Sequence, residues 1–157
     1  MEVTDVEVTP VVAPLERTVS GSHYRKDERG TAVVTVGTDG DVTGRVYSAS
    51  VVDEGRRGRT FVSFLRDDLA PIVEGSELHA IEATWEAMFA LTDRFMQSEV
   101  GDRSLFMHAV AAIDAALWDA LGKEAGLPLY ELWGGTETRC RSSASAATTR
   151  RARPTRT

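Results

Sequence analysis

Residues 136–157 contain no Val, Ile, Leu, Met or aromatic side chain; they are six Thr, six Arg, four Ala, three Ser, Glu137, Cys140 and Pro154. Such a segment buries nothing that could offset the entropy lost on ordering it, and it is expected to be a disordered tail. Any core is therefore confined to residues 1–135. Charge divides at the same point. Residues 1–135 carry 12 Lys and Arg against 23 Asp and Glu, a net of −11, while residues 136–157 carry six against one, a net of +5. Of the 18 basic residues only Lys26 and Lys123 are lysine, a compositional bias of the kind GC-rich coding produces.

The body before the tail is apolar enough to fold. Over the whole chain 42% of residues are apolar and 27% charged, within the range of one ordinary globular domain. Apolar runs such as residues 109–113 fall far short of the roughly 18 residues that cross a bilayer, so no membrane segment is expected. Met1-Glu2-Val3-Thr4-Asp5 is acidic where a secretory leader would be basic. One cysteine, Cys140, leaves no internal disulfide and no four-Cys zinc site, and the expected compartment is the reducing cytoplasm.

Residues 1–52 read as three antiparallel strands. Val6, Val8 and Pro10 alternate with Asp5, Glu7 and Thr9; residues 31–37 are rich in β-branched side chains; residues 41–52 alternate around Val46 and Tyr47. Asp39-Gly40 predicts a tight hairpin turn with glycine at positive φ. Residues 15–30 are polar and read as a long connection, a kind of segment that is often functional, holding Ser20, His23, Tyr24, Arg25 and Lys26. A second polar stretch, residues 53–59, leaves the sheet with Arg56 and Arg57.

Beyond it the pattern turns helical. Asp67 or Asp68 is predicted to cap a short helix ending near Gly75, and Ser76 a longer one with Leu78, Ile81, Trp85, Met88, Phe89 and Phe95 on one face. Asp102 is predicted to cap a third, whose inner face carries Leu105, Phe106, Ala109, Ala112, Ile113, Ala116, Leu117, Ala120 and Leu121. Gly126 and Pro128 end it, and its alanines let another backbone approach closely. Residues 128–133 suit one further turn, closed by Gly134-Gly135.

Generic chemical motifs are absent. Gly122-Lys123 lacks the upstream glycine of a phosphate loop, residues 39–41 lack the ligand ladder of a calcium loop, and no His-Glu-x-x-His run occurs. His79 and His108 read as packing or surface residues. His23 sits among Tyr24, Arg25 and Lys26, where hydrogen-bonding side chains suit an anionic substrate and equally a solvated loop. Asp114 and Asp119, five apart, lie on different helix faces, whereas Asp119 and Lys123 form an i,i+4 ion pair worth roughly 0.2–0.5 kcal/mol.

The run Ala109-Val110-Ala111-Ala112-Ile113-Asp114-Ala115-Ala116-Leu117-Trp118-Asp119-Ala120-Leu121-Gly122-Lys123, continued by Gly126-Leu127-Pro128-Leu129-Tyr130 and Leu132-Trp133-Gly134-Gly135, resembles the mandelate racemase/muconate lactonizing enzyme family of the enolase superfamily. Two departures stand out. Trp133 occupies a place where the family usually has a smaller aliphatic residue, and Gly44-Arg45-Val46-Tyr47 stands where many members read Gly-Trp-Gly-Glu.

The resemblance covers residues 1 to 135 and implies an α+β capping domain, a three-stranded antiparallel sheet followed by a helical bundle. In such enzymes this domain closes over a (β/α) barrel. The barrel carries the acids and bases that remove a proton next to a carboxylate, and the acidic ligands of Mg²⁺. A barrel takes about 200–250 residues, and only 22 follow Gly135. It is therefore expected to be missing from this chain, truncated or frame-shifted after Gly135. The resemblance then assigns no catalytic residue, no metal ligand and no cofactor here. Mg²⁺, and a small carboxylate or sugar acid as substrate of a racemase or dehydratase, are expected for the full-length enzyme. Ser20, His23, Tyr24, Arg25, Lys26, Arg56 and Arg57 are the residues implied to share in substrate selection.

The tail fits that expectation. Read one nucleotide earlier, from the last base of the Gly135 codon, permitted GC-rich codons for residues 136–152 spell Tyr, Arg, Asp, Glu, Val, Pro, Val, Ile, Gly, Ile, Gly, Gly, Tyr, Tyr, Glu, Glu, Gly. That is the pattern of a strand entering a barrel, so the tail is expected to be out of frame. The chain is accordingly expected to be an inactive capping domain whose uncovered barrel-facing surface promotes self-association. The alternative expectation is a non-enzymatic interaction module whose basic tail holds nucleic acid or an acidic partner; the tail's lack of interleaved aromatic residues argues against nucleic acid.

Overall fold

A computed structural model describes residues 1–48, 51–96 and 102–135, with the backbone alone described for residues 93–96. The expectations for Phe95 and for residues 136–157 lie outside the described residues. Strands β1 (Val3–Ser20), β2 (Arg25–Thr38) and β3 (Thr43–Tyr47) form an antiparallel meander in that order. Helix α1 (Arg56–Ser63) runs through a π-helical segment, Phe64–Leu69, into α2 (Ala70–Val73). Then come α3 (Ile81–Met96), α4 (Arg103–Ala125) and a single turn, α5 (Leu129–Leu132). This is the α+β order read from the sequence.

Strand alternation places one face of the sheet on the helices. Val6 pairs with Val36 and Val36 with Gly44; Val8 pairs with Val34 and Val34 with Val46. Val6, Val8, Ala32, Val34 and Val36 are buried against Phe61, Leu65, Leu69 and Val73 of the α1–α2 segment, Met88 of α3 and the inner face of α4. Phe64 and Phe106 meet edge to face with centroids 4.6 Å apart. The predicted inner face of α4 is buried from Leu105 to Ala120, with Leu121 packed partly against the core. Its alanines do admit a backbone: at Gly44 an added Cβ would overlap the Ala116 carbonyl. Asp119 Oδ2 accepts from the Arg45 backbone N–H at 2.7 Å and pairs with Lys123 Nζ at 2.7 Å, and Lys123 donates to the Thr43 carbonyl at 2.8 Å. The i,i+4 ion pair thus also fastens β3 to α4.

Four local expectations are corrected. Residues 15–30 are not a loop: β1 and β2 continue as a solvent-exposed ribbon closed by residues 21–24. Backbone pairing carries this ribbon without an apolar face, so hydrophobic alternation could not reveal it. Asp39-Gly40 does not adopt a primed turn, since Gly40 has no positive φ. The connection is four residues long, held by Thr38 Oγ1 donating to the Val42 carbonyl at 2.7 Å and by Glu2 N–H donating to Asp39 Oδ1 at 2.9 Å. Asp67 and Asp68 cap nothing, because the chain is helical from Arg56; they lie in the π-helical segment, where Ala70 N–H reaches Leu65 O just before Pro71, which has no N–H to continue the ladder. Ser76 hydrogen-bonds back to the Val73 carbonyl, and α3 begins only at Ile81. The other two end signals hold. Asp102 accepts from Leu105 N–H at 3.1 Å, and Gly126 takes the left-handed conformation at φ 65°.

By length and composition α4 could cross a membrane, but 56% of its apolar stretch is buried inside the protein, as a core helix requires.

Candidate functional site

The two polar segments singled out in the sequence lie side by side. At Gly30 of β2 an added Cβ would overlap the Asp53 backbone N, so the chain leaving the sheet crosses directly over the ribbon. Lys26 Nζ lies 3.1 Å from Asp53 Oδ2 and 3.4 Å from Glu54 Oε1. Arg57 Nη1 lies 2.5 Å from Glu54 Oε2, and Arg57 Nε 2.6 Å from Asp102 Oδ2. A continuous chain of opposite charges therefore runs from the root of the ribbon, through the turn after the sheet, to the cap of α4.

The electrostatics follow from that geometry. Hydrogen bonding to Asp53 raises the Lys26 pKa, against the opposing effect of burial, and the charges of Asp53 and Glu54 add to it. Burial pushes the Asp53 carboxyl up, but Lys26 and the backbone amides of Asp53 and Gly30 outweigh it and hold the pKa below the usual range. Hydrogen bonding from Arg57 lowers Asp102 in the same way. Glu54 lines both of the clefts that flank the network. One, of about 370 Å³, is bounded by Pro14, Arg25, Asp27 and Glu28 together with Lys26 and Asp53; the other, of about 410 Å³, by Arg56, Arg57, Thr60, Asp102 and Leu105.

The remaining candidates sit at the ribbon tip. Ser20 pairs with Arg25, and Gly21 N–H donates to the Tyr24 carbonyl at 2.9 Å, closing the hairpin. His23 and Tyr24 are exposed, Tyr24 by 57%; Arg25 reaches Asp27 at 3.3 Å, and Arg56 is exposed at the start of α1. The structure thus joins Lys26 and Arg57 through Glu54 and leaves Ser20, His23, Tyr24, Arg25 and Arg56 outside that linkage. Sequence reasoning missed Asp53 and Glu54, and saw Asp102 only as a helix cap. The available signal was the acidic pair Asp53-Glu54 placed three residues before Arg56-Arg57. His79 lies on the surface, 3.0 Å from Glu124 Oε2, and His108 is exposed on α4. Among the described residues no three His, Cys, Asp or Glu side chains converge as a metal site requires, so the described residues do not fit Mg²⁺.

The fold and the sequence have clear relatives. Residues 1–134 match the model of the mandelate racemase / muconate lactonizing enzyme N-terminal domain. A D-mannonate dehydratase of Caulobacter vibrioides is 36% identical over 109 residues, 68% of this chain and 24% of its own length. A D-galactonate dehydratase family member of a Paenibacillus species is 36% identical over 120 residues, 76% of this chain and 26% of its own. A crystal structure of a mandelate racemase/muconate lactonizing enzyme superposes with a TM-score of 0.76 at 35% identity, covering 87% of this chain and 35% of that one. An enolase from Bradyrhizobium complexed with magnesium and mandelic acid superposes with a TM-score of 0.66 at 27% identity, covering 86% of this chain and 35% of that one. The chain therefore spans between 24% and 35% of the length of these relatives. With the match running across all three strands and all five helices, the chain belongs to the mandelate racemase/muconate lactonizing enzyme family, of which it carries the N-terminal domain.

Proposed function

We propose that this chain is the substrate-capping domain of an acid-sugar dehydratase or carboxylate racemase, inactive by itself. In this reading the ribbon tip and residues 55–59, at the start of α1, face the substrate, and a barrel encoded downstream supplies the acid, the base and the Mg²⁺ ligands. The parent reaction removes a proton α to a carboxylate, and this domain contributes selection and exclusion of water rather than a proton carrier. The observation that carries the reading is the side-by-side placement of the two polar segments in a domain that makes up only about a third or less of its relatives' length. The out-of-frame reading of residues 136–157 belongs to the same proposal.

Genomic sequencing across the Gly135 codon tests it first: restoring one base is expected to open a frame of about 200–250 residues. Expressed from that frame, the protein is expected to dehydrate or racemise an acid sugar or other α-hydroxy acid with Mg²⁺ present, while the 157-residue chain does not. Turnover by the 157-residue chain, free of any full-size relative, defeats the proposal, as does downstream DNA without a barrel.

A further inference from the structure

Of the cations in the two polar segments, Lys26 and Arg57 turn inward onto the carboxylates of Asp53, Glu54 and Asp102. Lys26 lies at the start of β2, Asp53 and Glu54 occupy the turn after the sheet, Arg57 follows in the first turn of α1 and Asp102 caps α4, so the charge chain ties together three stretches remote in sequence. Glu54 is the shared node, with one carboxylate oxygen facing each cation. None of these five side chains is more than 36% exposed, and Asp53 is only 5% exposed. Partial burial keeps such pairs from being fully screened, and a shared carboxylate couples its two partners: loss of either cation leaves Glu54 half-satisfied.

We propose that Lys26, Glu54 and Arg57 are positioning residues, a charged strap that holds the ribbon and the start of α1 in one fixed relation to the α4 N-terminus. Substrate contact then falls to His23, Tyr24, Arg25 and Arg56. The assignment of substrate contact rests on the capping-domain reading; the strap itself does not.

Amide hydrogen exchange on the 157-residue chain tests the strap. Arg57→Gln touches no ribbon residue, yet it is expected to raise exchange of the amides at residues 26–28, as well as those at 103–105, on the order of ten-fold. Lys26→Met is expected to do the same at residues 56–60, and Lys26→Arg, which keeps charge and reach, to stay near the unaltered chain. The buried amides of α4 between residues 109 and 120 should not change. Effects confined to the substituted residue's own neighbours overturn the proposal, as does a uniform rise that includes the middle of α4. Should either variant fail to fold, raising salt from about 0.05 to about 0.5 M on the unaltered chain is expected to speed exchange in both segments together; a response in only one of them overturns the strap. These outcomes leave the capping-domain reading standing, because that reading is decided by turnover of the frame-restored protein.

Discussion

At Gly44 the β3 backbone lies against the Ala116 carbonyl, and the packing distance between sheet and helix depends on the missing Cβ. Gly44→Ala is expected to cost about 1–3 kcal/mol through forced separation of β3 from α4, read as a lower urea midpoint with an unchanged slope. Asp119→Ala removes the acceptor of the Arg45 amide and the partner of Lys123 at once, and about 1 kcal/mol of destabilisation is expected from the same measurement. Acid sensitivity divides the carboxylates into two sets. Asp53 and Asp102 have folded pKa values below the ordinary 3.8, so their stabilisation is present above that value and is lost as pH falls through the lower folded one. Asp114 behaves oppositely. Burial and the nearby Glu82 charge raise its pKa, against hydrogen bonding from Trp118, so its contribution is full at low pH and is lost as pH rises through the raised value. Asp114→Asn, which keeps an acceptor for Trp118, is therefore expected to stabilise the chain at pH 7 by up to about 0.5 kcal/mol, the scale of substitutions at partly exposed sites. The gain should vanish below the ordinary carboxylate range; thermal melts at both pH values decide it. The sequence made Asp119–Lys123 legible because helical spacing is local. It could not reveal Asp53 and Glu54 as partners of Lys26, or Asp102 as a partner of Arg57, since those contacts span 27, 28 and 45 residues; only Glu54 with Arg57, three apart, was open to the same local reasoning. Trp133 finds its place by an edge-to-face contact with Trp118 at 5.6 Å, a pairing visible only once α5 has folded back on α4.

Among the elements, α4 was readable from its buried face and its end signals, the start of the α1–α2 segment was not although that segment buries Phe61, Phe64, Leu65 and Leu69, and the outer ribbon was not. The periodicity of α4 is set by ten buried positions between Leu105 and Gly122, and both of its ends carry a chemical signal. The ribbon from residue 9 to residue 29 buries almost nothing, so its polarity mimicked a loop. Its outer edge raises a further question. Val6 N–H donates outward to Glu74 and the Val8 carbonyl accepts from Arg66, so even-numbered residues of β1 turn their backbone groups away from β2. Pro10 and Pro14 share that parity and have no N–H to offer. The open edge is thereby deprived of two donors where a second strand would otherwise add, beside exposed Val11, Val12 and Val19. The double substitution Pro10→Thr and Pro14→Thr is expected to increase concentration-dependent association, followed by light scattering. Unchanged scattering would mean that strand addition at this edge is already blocked by something else.

At the scale of the whole molecule, the large exposed apolar side chains among the described residues fall into two groups. Val11, Val12, Val19, Tyr24 and Tyr47 lie on the ribbon and the end of β3, while Leu127, Tyr130 and Trp133 surround the point where residue 135 leads onward. Tyr47, 79% exposed, and Trp133, 62% exposed, are the most open of them. The chain covers only 24–35% of the length of these relatives. Expressed alone, the 157-residue chain is expected to self-associate at concentrations on the order of tens of micromolar, through these surfaces rather than through its charges. Two measurements separate the causes. Association driven by apolar surface should strengthen in ammonium sulfate and survive removal of residues 136–157, whereas pairing of a basic tail with an acidic body should weaken with added sodium chloride and disappear with the tail. A monodisperse monomer by sizing and light scattering would show that the exposed aromatic groups are tolerated in water. The case for a covering barrel would then rest on the gene alone.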